Sequence, residues 1–431
     1  MADISSKKTI VLLTFSIGSF LLSYLISILF ARSMGISGYD DYAVAISSLA
    51  ILATLSEMGT GKFGLRIIPV YREKKMWYLA KGYIAFSIRL ILIVSLILVV
   101  TTIIIEYAED GAFGNYALGL AVLFLPLVAW AGAGTEIIMA NGASIRSAFI
   151  TRLLVPGTTL LLGSIWVLSF IALTAVQGVL LYGMGWFTGL FVVILFMKQT
   201  TRSEIRKARA VSKTKEWSRN AFPFLFFAFL LTLLTKIAVI ILEIVHPDEA
   251  EVAVYAVAAE TGVFIILVAK STNKMYLPVL SLMIERKNRP GMIALRKQRW
   301  SWLGPICFLF LVVIFVFGKK ILLFFGPQYV EGYTALCILA VAASIWTMTS
   351  LAPPFLKYIG KNRFVTGSTI IAVVFHIILC FPLGYYYGAT GAAVSFAIPV
   401  IALYLMMAVM VGYYYRQTFA ENDTGKRRQN A

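Results

Sequence analysis

Charge is scarce in this chain: Asp, Glu, Lys and Arg make up 13% of its 431 residues, against about 25% in an ordinary soluble domain. That deficit excludes a soluble globular fold of this length. Cysteine is scarcer still. Cys307, Cys337 and Cys380 each fall inside an apolar run with no paired spacing, which excludes a disulfide or metal framework and leaves small hydrophobes in packed helices. The chain has only two histidines, His246 and His376. It shows no serine–histidine–acid set, no metal-ligand cluster and no phosphate-cradling glycine loop, so it carries no enzyme signal and implies no cofactor. Nothing between the apolar runs is long enough for an added soluble domain.

What is abundant is hydrocarbon. The composition is 60% hydrophobic and the mean hydropathy is +0.86. Apolar runs of about 20 residues recur throughout, the mark of an all-α polytopic membrane protein. Twelve spans are expected, at 9–30, 42–60, 83–105, 116–138, 150–172, 176–197, 220–245, 252–270, 301–323, 332–352, 365–387 and 391–412. The first is too long for the apolar core of a signal peptide and reads as a true span.

The net charge of +18 is unevenly spread. Alternate loops carry Lys7 and Lys8; Lys62, Arg66, Arg72, Lys74, Lys75 and Lys81; Arg146 and Arg152; eight cations over 198–219 and eight over 270–299; Lys357, Lys361 and Arg363; and the tail Lys426, Arg427 and Arg428. The opposite loops hold three cations, Arg32, Lys319 and Lys320. They hold nine acids: Asp40, Asp41, Glu106, Glu109, Asp110, Asp248, Glu249, Glu251 and Glu331. By the positive-inside rule both termini are expected in the cytoplasm. The basic loops serve topology and lipid head-group contact. Nucleic-acid binding would need aromatic interleaving on a folded soluble surface, which is missing.

The two halves repeat. "YAVA" at 42–45 returns at 255–258, an offset of 213; Pro69 and Pro278 differ by 209; "FG" at 113–114 returns at 325–326; "FIT" at 149–151 is echoed by "FVT" at 364–366; Gly178 matches Gly391. Six helices per half return the chain to its starting side, so the repeats are parallel, an arrangement of transporters that rock two bundles around a central cavity. The expected domains are 1–212, a six-helix bundle with its linker, and 213–431, a second bundle with a basic tail.

The segment "FARSMGISGYDDYAVAISSLAILATLSEMGTGKFGLRIIPVY" (30–71) resembles the opening of the Wzx-type polysaccharide flippases of the multidrug/oligosaccharidyl-lipid/polysaccharide (MOP) exporter superfamily. Arg32, Gly35, Gly38, Tyr42, Gly59 and Arg66 occupy that pattern. "EVAVYAVAAETG", "FGPQYVEGYTALCILA" and "GATGAAVSF" resemble the second half of the family, and the similarity spans essentially the whole chain. Two departures stand out: Ala253 replaces a usual Gly, and "TKIAVI" offers Lys236 where many relatives carry an Asp–Arg pair. The resemblance implies a flippase of the bacterial inner membrane that moves undecaprenyl-diphosphate-linked oligosaccharide, such as an O-antigen unit, between leaflets. Membrane lipid, and a polysaccharide polymerase with its chain-length machinery, would be the partners.

Charges inside spans are the candidate site, because an ammonium in hydrocarbon needs a partner or water. Lys236 lies nine residues from the end of "LLTLLTKIAVIILEIV" (230–245), roughly 14 Å at 1.5 Å per residue, too far to snorkel comfortably. It reads either as a cavity lysine or as half of an ion pair, with Glu260 the first candidate partner and Glu243, two turns along, the second. Arg89 is six residues into its span and either faces a cavity or snorkels. Arg32 at a helix C-terminus is favoured by the helix dipole whatever its role. Glu57 and Glu136 read as capping acids or partners of Arg66 and Arg146. Lys270 and Lys274 mark either a vestibule or the membrane edge. His376 reads as hydrogen-bonded within the bundle more readily than as a proton relay. Pro126, Pro156, Pro382 and Pro399 are expected to interrupt helices.

Together Lys236, Arg89, Arg32, Arg66, Arg146, Lys270 and Lys274 form the expected cationic cavity for a diphosphate, with Glu260, Glu57 and Glu243 as ion-coupling groups or charge partners. A membrane potential contributes about 2.3 kcal/mol per charge per 100 mV, which can drive export with or without coupled H+ or Na+. The alternatives are a cation or drug antiporter of the same superfamily, which would want an acidic lumen, and a glycan polymerase or ligase, which would want a long outer loop. The longest outer loop, 318–331, is about fourteen residues.

Overall fold

In the computed structural model every regular element is helical. The structure describes residues 2–110, 116–169, 172–248, 250–286 and 288–429, and no strand occurs among them. Phe113, Gly114 and Glu249 lie outside the described residues, as do the side chains of Lys7, Lys8, Glu106, Glu109, Asp110, Lys274, Pro278, Lys426, Arg427 and Arg428.

The chain forms two compact units, Met1–Glu243 and Ile244–Ala431. The first contains α1 (Ala2–Ser56), α2 (Thr60–Glu73), α3 (Trp77–Asp110), α4 (Tyr116–Leu123), α5 (Leu125–Ala140), α6 (Ser144–Phe149), α7 (Val155–Ser169), α8 (Ala175–Thr200), α9 (Ser203–Lys207) and nearly all of α10 (Thr214–Val245). The second contains α11 (Ala250–Gly262), α12 (Ile266–Glu285), α13 (Arg289–Leu323), α14 (Tyr333–Thr349), α15 (Ala352–Tyr358) and α16 (Asn362–Gln429).

Nine helical segments among the described residues are long and apolar enough to cross a membrane, ten if α4 and α5, bent by 44°, count as one span. That bend precedes Pro126 in the first turn of α5, which has no N–H to continue the ladder. Pro156 follows a π-helical turn, Ile150–Leu154. Two of the nine are far longer than a bilayer needs. Thr14–Glu73 has 60 residues and Asn362–Tyr414 has 53, against about 20 for one span. Each contains a glycine off the helical path, Gly35 at φ 74° and Gly388 at φ 53°, a conformation open mainly to glycine. The expectation of twelve spans turns on counting each of these broken helices as two. At the second break, Ala389 N–H donates to Glu251 Oε2 of α11 at 2.6 Å.

Both copies of the repeated "YAVA" are largely buried, Tyr42–Ala45 in the first unit and Tyr255, Val257 and Ala258 in the second.

The polar stretch 198–219 is docked on the first unit. Val211 N–H donates to Tyr78 O (3.2 Å) and Lys81 Nζ to Arg206 O (2.7 Å). Ile205 of α9 and Trp217 of α10 are fully buried in a cluster with Phe63, Ile68, Tyr83, Phe86 and Ile137. The Trp217 ring lies 5.4 Å from both Tyr83 and Phe86, and its Nε1–H donates to Tyr71 Oη at 2.9 Å. These contacts tie the start of α10 to α2 and α3.

Candidate functional site

The turn from α1 into α2 is built around Glu57, Met58 and Gly59. Met58 and Gly59 both take positive φ, 47° and 67°. A Cβ on Gly59 would collide with backbone N of Leu225 and stand 2.5 Å from Ala221 O, so α10 passes directly over it. Glu57 O accepts from Thr60 N–H (2.9 Å) and Thr60 Oγ1–H (2.8 Å), and Tyr83 Oη–H donates to Thr60 O (2.5 Å). The turn is held rigidly, and its carboxylate points at α5.

There it meets a second acid. Glu57 Oε1 lies where a Cβ on Gly132 would be 2.6 Å away, and Glu136 Oε2 lies against Gly61 of α2 in the same manner. Each carboxylate covers the glycine four residues from the other glutamate. A Cβ at either glycine would have to displace a carboxylate end. The two acids interact electrostatically, and Lys62 acts on both. Glu136 Oε2 is buried without a hydrogen bond. Tyr83 also lies within electrostatic range of Glu136. Pairing of these acids with Arg66 or Arg146 is absent: Arg66 is exposed, while Arg146 donates to Gln199 Oε1 (3.2 Å) and stacks over Phe196 (5.3 Å). Two adjacent carboxyls with a lysine nearby can hold a proton or a small cation.

Lys236 is partly buried on α10. One turn before it, Thr232 Oγ1 lies 3.2 Å from Thr54 Oγ1 of α1, and Thr232 and Lys236 share a helix face. Gly59 faces Ala221 and Leu225 while Thr54 faces Thr232, so the two helices run antiparallel. Lys236 and Glu57 therefore leave the Thr54–Thr232 contact in opposite directions and differ in height by roughly 10 Å at 1.5 Å per residue. Glu243 is partly buried two turns beyond Lys236; Glu260 is partly buried on α11, in the second unit. Arg32 and Arg89 are exposed, as is Lys270, and the Lys274 side chain is outside the described residues.

Three features were not anticipated. Asp40, expected in a solvated loop, continues the helix beyond the Gly35 break and is 2% exposed, in a segment where Tyr39 and Tyr42 pack 5.8 Å apart. Arg299, expected among loop cations, is also 2% exposed. The facing of Glu57 and Glu136 is a tertiary fact; its one sequence trace is a glycine four residues from each acid. His376 is buried and hydrogen-bonded to Ser395 Oγ through Nδ1 (3.3 Å), with its ring 5.8 Å from Phe396, as expected of a bundle histidine.

Residues 5–283 match the family described as "Polysaccharide biosynthesis protein". No curated protein matches the chain. Among solved structures, an inward-facing multidrug resistance MATE family transporter of the MOP superfamily aligns at TM-score 0.74 and 16% identity, over 95% of this chain and 98% of its own. The outward-facing conformation of such a transporter aligns at 0.65, again at 16% identity, over 95% and 96%. The lipid II flippase MurJ, in its inward closed conformation, aligns at 0.67 and 16% identity, over 95% and 90%. At that identity these likenesses speak to fold.

Proposed function

Because the chain belongs to the polysaccharide biosynthesis protein family, we propose that it is a flippase for lipid-linked oligosaccharide. It carries the sugar-diphosphate head of an undecaprenyl-linked repeat unit from the inner to the outer leaflet of the bacterial cytoplasmic membrane, with both termini in the cytoplasm. The observation that carries this reading is the family match over residues 5–283. The fold it shares with a lipid II flippase is consistent with it.

In this reading Lys236 supplies positive charge for the diphosphate, helped by Arg89, Arg32, Arg66, Arg146, Lys270 and Lys274. A diphosphate in hydrocarbon pays a large desolvation penalty that lysine and arginine offset through charge-assisted hydrogen bonds. Membrane potential supplies direction, and the Glu57–Glu136 pair is the coupling site if a proton is exchanged. A polymerase and its chain-length machinery would take up the product. The drug-antiporter alternative has only the MATE-like fold in its favour.

The test is to measure lipid-linked oligosaccharides in a deletion strain rescued with wild type or Lys236→Ala at matched membrane levels. Inner-leaflet glycan lipid that accumulates on deletion and clears only with wild type supports the proposal. A strain with no redundant flippase that accumulates none overturns it and turns attention to drug efflux. Clearance by Lys236→Ala would leave the transport reading intact and remove the lysine from it.

A further inference from the structure

The second unit contains a cavity of about 920 Å³ that no step above uses. Its walls are apolar: Met292 and Ile293 of α13, Met348 of α14, Phe355 of α15, and Val409 and Tyr413 of α16. Four cations line it, Arg289, Arg296, Lys297 and Arg299, all from the first three turns of α13, and no carboxylate lines it among the described residues. The cavity lies at the end of the unit that carries the basic loops.

Arg299 is the telling member. It is 2% exposed, and its Nη2 donates to Ser350 Oγ (2.7 Å), Asn273 Oδ1 (3.0 Å) and Thr347 O (3.4 Å). All three acceptors are neutral, and Nε is buried with no hydrogen bond. Tyr276 lies under the guanidinium at 5.9 Å. A buried guanidinium held only by neutral acceptors keeps much of its desolvation penalty. Arg299 shares the cavity with Arg289, Arg296 and Lys297 from the same end of α13. Electrostatics therefore asks for an anion, while the walls ask for a hydrocarbon chain. A free phosphate would leave the walls bare, and a neutral lipid would leave Arg296, Lys297 and Arg299 without a counter-charge in the cavity.

We infer that this cavity binds an anionic phospholipid of the leaflet on the basic face. The phosphate sits among Arg296, Lys297 and Arg299, and an acyl chain lies along Met292, Val409 and Gly412. The volume is at the upper end of the range of small-molecule ligand sites, about 300–1,000 Å³, and basic clusters at this membrane level attract anionic head groups. The inference stands independently of the flippase reading, since the lipid is a resident ligand and not cargo.

The test uses the full-length protein in detergent, with native mass spectrometry of retained lipid at matched phosphatidylglycerol and phosphatidylcholine. Two variants separate head from chain. Arg296→Gln with Lys297→Gln removes two exposed cations. Gly412→Leu fills chain space, because a Cβ at 412 meets nothing within 4 Å. The expected result is preferential retention of phosphatidylglycerol by wild type, weakened roughly tenfold or more by the charge variant and also lost in Gly412→Leu. Equal retention of the two lipids, or unchanged retention in both variants, overturns the inference. So does equal competition by inorganic phosphate, which would mark a free-anion site, or displacement of phosphatidylglycerol by lower concentrations of undecaprenyl phosphate, which would mark a carrier-lipid site.

Discussion

Two neighbouring carboxyls do not titrate independently. Glu57 and Glu136, lying against Gly132 and Gly61, interact in this way, so a proton gained or lost at one is felt by the other. If the pair couples transport to protons, Glu136→Gln will leave glycan-lipid export responsive to membrane potential and unresponsive to an imposed proton gradient. Export assayed in inverted vesicles with each gradient set separately checks this. At Lys236 the expected outcome for alanine is a drop in transport of at least about tenfold, the scale of one lost charge-assisted contact, with Lys236→Arg retaining more. Lys236 is legible in the sequence because an ammonium interrupts an apolar run. The acid pair is not, because Glu57 lies in the turn after α1 and Glu136 on α5, and each looks like an ordinary helix-end acid. Asp40 misleads for a related reason: two acids beside a glycine imitate a loop, while the backbone resumes its helix and buries the first of them.

Helices themselves follow from hydropathy, and their beginnings often follow from local chemistry. Thr174 and Gln177 form a reciprocal cap on α8, with bonds of 3.3 and 3.0 Å, and Asn288 caps α13 through Gly291 N–H at 3.0 Å. Breaks are harder to foresee. Proline announces the α4–α5 bend, but Gly35 and Gly388 are two glycines among 32, and nothing local separates them from the rest. Gly59 is constrained twice, by its positive φ and by the α10 backbone above it. Gly59→Ala is expected to lose about 1–3 kcal/mol from conformation alone, more with the collision, and to show a lowered thermal midpoint in detergent. Trp217→Ala removes the centre of the aromatic cluster and is expected to cost about 3–5 kcal/mol, by the same measurement. The sequence marks 198–219 as a basic linker, yet its docking depends on Trp217, which stands among polar neighbours and gives no sign of burial.

For the whole molecule, the charge pattern makes the sharpest claim. Ser212 and Asp248 are both exposed and stand at opposite ends of α10. In intact cells, a membrane-impermeant maleimide is expected to label Asp248→Cys at once and Ser212→Cys only after permeabilisation, in a background with Cys307, Cys337 and Cys380 replaced. The reverse pattern would invert the topology and the direction of transport with it. The internal repeat, legible as matched short words, foretells two similar halves but not how each is tied together. In the second half one tie runs from Glu251 to the Ala389 amide, 138 residues further on. It has a consequence in the time of synthesis. When the ribosome reaches the bend in α16, its acceptor has long since been made and placed, so the last hairpin is fitted to a waiting carboxylate. A chain stopped short of residue 389 leaves Glu251 without that amide, so this tie forms only once α16 has passed its bend.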